Sequence, residues 1–300
     1  MARTDVRFPS GPQMCAGWWY EPSPAVTPGP VVVMAHGLGA VKEMRLDAYA
    51  ERFAEQGYRV LVFDYRHFGE SEGSPRELID IERQLDDWAA ALHYVRALPT
   101  VDKRSIVVWG TSFGGGHVIE VAKRDPEVAA VISQCPFTDG FASARTLGPV
   151  SFARVSVLAV RDVLRSLTRR APIRIALAGR HGQAALMTGP DACDGYFALV
   201  PDGMNHPSQV PARIALRILL YYPGRSAAFL NCPALFCVSM KDSVAPAQTT
   251  IWHVRKARLG QIKRYDVGHF DLYVGDAFER VVADQIRFLQ AVVPAEPPSS

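Results

Sequence analysis

The chain has 300 residues, 48% of them hydrophobic, 21% charged, and a formal net charge of +3. That length and apolar content suffice for one large core, so a single wide domain with an insertion fits better than two equal ones. With a charge so near neutral and no block of five or more like charges, nucleic-acid binding and attraction to a membrane surface lack an electrostatic footprint.

Met1 to Asp5 begins a polar strand and not an apolar leader core. No run approaches the roughly 18 apolar residues that span a bilayer, so a cytoplasmic protein without a membrane span is expected. The five cysteines, Cys15, Cys135, Cys193, Cys232 and Cys237, are odd in number and lack C-x-x-C spacing, as reduced, mostly buried thiols would. No two histidines stand three or four residues apart, so neither a metal nor a cofactor is expected.

From residue 31 the pattern alternates strand with helix. Val31 to Ala35 reads as a buried strand, followed by His36-Gly37-Leu38-Gly39. Leu46, Tyr49, Ala50 and Phe53 recur at helical spacing, Val60 to Phe63 is the next strand, and Leu85, Trp88, Leu92 and Val95 mark a second helix. Then comes Ser105 to Trp109, the pentapeptide Gly110-Thr111-Ser112-Phe113-Gly114, and a small-residue stretch that reads as a helix. Val128 to Ser133 looks buried on both faces, as a parallel sheet demands. The regular pattern resumes only at Pro233 to Met240, with Asp242 just beyond and Pro246 opening a helical segment. The strand-like Gln261 to Asp266, the loop Val267-Gly268-His269-Phe270 and a helix carrying Phe278, Val282, Ile286 and Leu289 complete it.

The pentapeptide is a G-x-S-x-G nucleophile elbow between a strand and a helix. Glycines two residues to either side relieve the crowding of a sharp turn that pushes the Ser112 hydroxyl outward. A hydroxyl is a poor nucleophile at neutral pH, so it needs a base, a carboxylate to orient that base, and donors for the oxyanion. His269 is the candidate base and Asp242 the candidate acid, with Asp139 as a rival that also follows a strand. Alone, either residue would read as a helix cap or a turn. The order Ser112, Asp242, His269 at three strand ends is that of an α/β-hydrolase triad. The backbone amides of Leu38 and Phe113 are the candidate oxyanion donors, and His36 reads as structural. A nucleotide site finds no support, because no G-x-x-x-x-G-K or G-x-G-x-x-G follows a strand.

These pieces resemble the α/β-hydrolase superfamily, and within it the bacterial dienelactone-hydrolase-like and X-Pro-dipeptidyl-peptidase-like serine esterase branch. Phe8-Pro9-Ser10-Gly11 with Ala16 to Pro22 resembles that branch's opening hairpin, and Gly57 to Arg66 with Gly69-Glu70-Ser71 resembles its next strand and loop. The resemblance covers nearly the whole chain. It implies a mostly parallel, doubly wound α/β sheet with an inserted helical cap, and the roles already given to Ser112, Asp242, His269, Leu38 and Phe113. The chain departs from it at His67-Phe68, where relatives have a glycine. True dienelactone hydrolases use a cysteine nucleophile, so that substrate class does not carry over.

The expected division is a core of residues 1–135 and 232–293, a helical cap at 136–231 and a disordered tail at 294–300. An insertion between sheet strands emerges at their carboxyl ends, beside Ser112. Two long helices, Ser151 to Thr168 and Pro211 to Tyr222, are predicted within it. His67, Phe68, Phe137, Phe152 and Phe197 are the candidate substrate contacts, with Met187, Tyr196, Ile214, Ile218 and Phe229 as further apolar candidates. Arg161, Arg165 and Arg169 share one helix face and read as solvated. The expected function is hydrolysis of a small or medium-sized ester or thioester through an acyl-Ser112 intermediate. Amide or peptide hydrolysis and acyl transfer would use the same constellation, and a non-catalytic binding protein is the remote alternative. The expected partner is that small-molecule substrate, with no nucleic acid; a homodimer is compatible with the sequence.

Overall fold

The computed structural model describes residues 1–23 and 25–295. Five of the seven residues expected to form a disordered tail, 296–300, lie outside the described residues.

An eight-stranded sheet organises the chain in the order β1 (Ala2–Ser10), β2 (Gln13–Glu21), β4 (Arg59–Phe63), β3 (Gly29–Ala35), β5 (Val101–Thr111), β6 (Ala130–Gln134), β10 (Ala234–Ser239) and β11 (Gly260–Tyr265). β1 and β2 form an antiparallel hairpin and β2 runs antiparallel to β4; every later pairing is parallel. β3, β4, β6 and β10 are buried at every position. Helices therefore cover both faces, and each fully buried Val, Leu or Ile contributes about 1.5–3 kcal/mol. On one side lie α1 (Leu46–Glu55) and α9 (Gly275–Val292), packed together; on the other lie α2 (Ile81–Ala97) and α3 (Phe113–Arg124). The Asp80 side chain starts α2 by accepting a hydrogen bond from the Arg83 amide at 3.3 Å, one of the donors a helix start leaves free.

Between β6 and β10 the chain leaves the sheet. It forms α4 (Gly140–Arg145), α5 (Gly148–Leu167), β7 (Arg174–Ala178), β8 (Ala185–Met187), α6 (Ala192–Phe197), β9 (Gln209–Pro211) and α7 (Ile214–Leu219), then a 3-10 turn, Pro223–Phe229. The predicted helix at Ser151 to Thr168 corresponds to α5. The predicted helix from Pro211 is shorter, because Gln209–Pro211 pairs with β7 as a strand. β8, β7 and β9 make a separate three-stranded sheet, so the insertion is mixed and not wholly helical. α8 (Ala247–Val254) then connects β10 to β11.

Candidate active site

Ser112, Asp242, His269 and the Leu38 loop each follow a different parallel strand (β5, β10, β11 and β3) and so meet at the carboxyl edge of the sheet. Ser112 sits at φ 54° and ψ −117°, a conformation L residues rarely adopt. The turn is possible because its flanks lack side chains. A Cβ on Gly110 would strike the Gly114 carbonyl, and one on Gly114 would strike the His36 carbonyl. Gly37 also borders the elbow: a Cβ there would stand 2.9 Å from Ser112 Cβ and 3.2 Å from the Thr111 carbonyl oxygen.

His269 Nε2 lies 3.0 Å from Ser112 Oγ, and His269 Nδ1 lies 2.7 Å from Asp242 Oδ2. The other carboxylate oxygen of Asp242 accepts from the amides of Val244 at 2.8 Å and Ala245 at 2.6 Å, so the turn before α8 fixes the carboxylate's direction. Burial by itself would lower the pKa of His269; the Asp242 charge and hydrogen bond outweigh it and hold the imidazole well above its ordinary value. An imidazole so oriented can take the Ser112 proton and stabilise the charge it gains. The rival carboxylate, Asp139, is engaged elsewhere. It caps α4 through the Ala142 amide at 2.9 Å and meets His253 Nε2 at 3.2 Å.

The amides of Leu38 and Phe113 donate to no loop or cap carbonyl among the described residues. Phe113 begins α3, whose first amides have no partner within the helix. Both residues line the cleft that also contains Ser112. His36 is wholly buried, with Nδ1 2.9 Å from the Gly37 carbonyl oxygen, and burial pushes its pKa down to about 4. It is a neutral prop for its loop.

The main cleft, ≈ 740 Å³ including the part open to solvent, carries no charged side chain. Phe137 and Phe152 line it, as do Met187 and Ile218. A smaller cavity that also reaches Ser112 shares Leu38 and Met187 with it and adds Tyr196, Leu199, His269 and Phe270. Three of the predicted contacts are placed otherwise. His67, at φ 75°, folds back on its own loop, its amide donating to Glu72 at 2.8 Å and its Nδ1 lying 2.9 Å from the Pro75 carbonyl oxygen. Phe68 is buried against His36, 6.0 Å between ring centroids. Phe197 ends α6 outside the linings of both cavities, 38% exposed and edge-on to Tyr196; Phe229 too is exposed and lines neither.

Two side chains near His269 escaped the sequence reading. Cys135 Sγ lies 3.9 Å from His269 Nε2 and 3.8 Å from Tyr273 Oη, and Tyr273 Oη in turn lies 2.5 Å from Thr111 Oγ1. Tyr273 stands four residues beyond His269, a proximity that could have suggested it; Cys135 carries no spacing signal.

A family model described as "Serine aminopeptidase, S33" (Hydrolase_4) matches residues 27–269. The chain belongs to that family of α/β hydrolases. This α/β-hydrolase enzyme is 50% identical over 295 residues to the quorum-quenching protein AidA of Acinetobacter baumannii, covering 98% of this chain and 97% of that one. It is 29% identical to the thiohydrolase aneE of Aspergillus aculeatus (88% and 86% covered), and 28% identical to the polyketide transferase ATR5 of Stachybotrys chlorohalonatus (98% of each). Among solved structures, the α/β hydrolase GrgF from Penicillium sp. sh18 superposes with a TM-score of 0.84 at 24% identity, over 98% of this chain and 99% of that one. The superfamily is thus the expected one, while the family matched is not named for the dienelactone or X-Pro branch.

Proposed function

We propose that this hydrolase cleaves a carboxylic ester or thioester through an acyl-Ser112 intermediate. The observation that carries the reading is the continuous relay from Asp242 through His269 to Ser112, at 2.7 and 3.0 Å, beside an uncharged cleft. Ser112 Oγ attacks the carbonyl carbon as His269 Nε2 takes its proton, and the oxyanion accepts hydrogen bonds from the Leu38 and Phe113 amides. Collapse expels the leaving group, which receives that proton from His269. A water deprotonated by the same nitrogen then releases the acid.

The two cavities suggest how a substrate divides. The group that leaves must reach His269, which lines the smaller cavity; the acyl chain then takes the larger one, whose lining suits an uncharged hydrocarbon. The 136–231 insertion acts as the cap that sets this choice. Quorum quenching, named for the 50% identical relative, is the physiological role we carry over, through cleavage of an ester-bearing signal.

Acyl transfer is the second reading, favoured by the relatives named as transferases. Both are tested by assaying p-nitrophenyl esters of graded chain length, thioesters and anilides, with and without an added alcohol or thiol acceptor. Ester or thioester turnover yielding free acid, and its loss in Ser112→Ala, supports hydrolysis. Preferential turnover of anilides would refute it, and products dominated by the acceptor's ester would assign transfer instead.

A further inference from the structure

We propose that α5 docks this protein onto an anionic lipid surface, apolar side down. The inward face of α5 is settled: Ser151, Val155, Ala159 and Asp162 are buried. The outward face has an unusual composition. Val150, Ala153, Val157, Val160, Leu164 and Leu167 alternate at spacings of three and four, which places them on one stripe of a helix. All six are exposed, Val157 at 58%, Leu164 at 60% and Leu167 at 76%. Isolated apolar residues on a surface need no explanation, but a stripe along a 20-residue helix, about 30 Å, does.

Charge decides what the stripe suits. At 100° per residue, Arg154, Arg161 and Arg165 form a row along one edge of the apolar arc. Residues 140–190 contain eight arginines, no lysine, no glutamate and one aspartate, a net +7, in a chain whose total is +3; the remainder carries −4. That lone aspartate, Asp162, is buried, bonded to the Ile173 amide at 2.7 Å and paired with Arg213 at 2.9 Å. Of the eight arginines only Arg174 has an ion-pair partner among the described residues. The near-neutral total therefore conceals a strongly cationic, apolar-faced segment within the insertion.

A second copy of the same chain could pack two such stripes together, but it would bring two +7 segments and two arginine rows into contact with no carboxylate between them. An anionic bilayer satisfies both features, accepting the apolar stripe among its acyl chains and the arginines among its headgroups. On the other edge of the stripe, Phe152 and Ser156 line the main cleft, so a docked α5 would set the cleft's wall against the lipid. This binding is independent of the chemistry at Ser112.

The test is cosedimentation of the full chain with vesicles of phosphatidylcholine alone and of phosphatidylcholine with about a third phosphatidylglycerol. Binding is expected to the anionic vesicles only, and to weaken in about half-molar salt. Arg161→Gln with Arg165→Gln should weaken it by about 30-fold, and Leu164→Glu with Leu167→Glu by at least about tenfold. All four side chains are exposed, and unchanged turnover of a short soluble ester checks that the variants fold. Ser112→Ala should bind lipid like the parent protein. Absence of binding to the anionic vesicles, or binding that these substitutions leave intact, overturns the proposal. A dimer that Leu164→Glu dissociates, without lipid binding, would overturn it in favour of a second copy.

Discussion

Asp242 and Asp139 both follow sheet strands, and only their partners distinguish them: Asp242 orients His269, while Asp139 caps α4 and meets His253. Asp242→Asn should therefore lower turnover by roughly 10³–10⁴-fold through loss of imidazole orientation, and Asp139→Asn by far less; steady-state kinetics on the two variants decides between them. His269 must be neutral to accept a proton, so turnover rises as pH rises through its pKa. Because Asp242 holds that pKa above the ordinary imidazole value, the acid limb of the pH–rate profile should lie higher than an isolated histidine's, and Asp242→Asn should move it down. An acid limb that stays put would detach it from His269. Gly37 makes a steric prediction. A Cβ there would stand 2.9 Å from Ser112 Cβ, so Gly37→Ala should displace the loop bearing the Leu38 amide and cost about 10²-fold in kcat, with the thermal midpoint nearly unchanged.

At the scale of elements, β3, β10 and the Ile106 to Thr111 half of β5 were readable because they are buried on both faces and end in short loops, whereas β11, ahead of His269, is mostly exposed or half-buried. Val31 to Ala35 and Ser105 to Trp109 fall within strands, and Pro233 to Met240 overshoots β10 by one residue at each end; Leu38, Ser112 and Asp242 follow. The insertion was less legible for a physical reason. β8 and β9 are three residues each, too short for a period of two to show, and they exist by pairing with β7. The His67-Phe68 loop misled in another way, since a positive φ at His67 turns both side chains inward, and sequence records no such reversal. Wall position now separates two phenylalanines. Phe152→Ala, which opens the cleft, should shift the relative kcat/KM of long and short acyl esters by about 1–3 kcal/mol. Phe197→Ala should leave that ranking alone. Equal slowing of all esters by Phe152→Ala would make the insertion scaffold only.

Across the whole molecule, buried histidines tie stability to pH. Burial lowers His36 to about 4 and His117 to about 3, the latter held neutral between Tyr221 and Gln84. Their unfolded forms take up protons first as pH falls below about 6.5, so each should remove about 3 kcal/mol of stability by about pH 4. His269 acts oppositely. Its raised pKa adds stability that is complete below the unfolded value and lost as pH climbs through the folded one, so it contributes no slope in the acid window. Urea midpoints should fall steadily from about pH 6.5 to about pH 4, and His117→Asn should flatten that fall; midpoints independent of pH there would exclude neutral burial of either histidine.

The central claim is that Ser112, at the carboxyl edge of the eight-stranded sheet, is the nucleophile that takes up the acyl group, and a covalent label reads this directly. After reaction with a p-nitrophenyl alkylphosphonate, peptide mass mapping should find one adduct, on Ser112, in the parent protein and none in Ser112→Ala, with labelling slowed in His269→Gln. An adduct on another serine, or stoichiometric labelling that survives Ser112→Ala, would contradict the account.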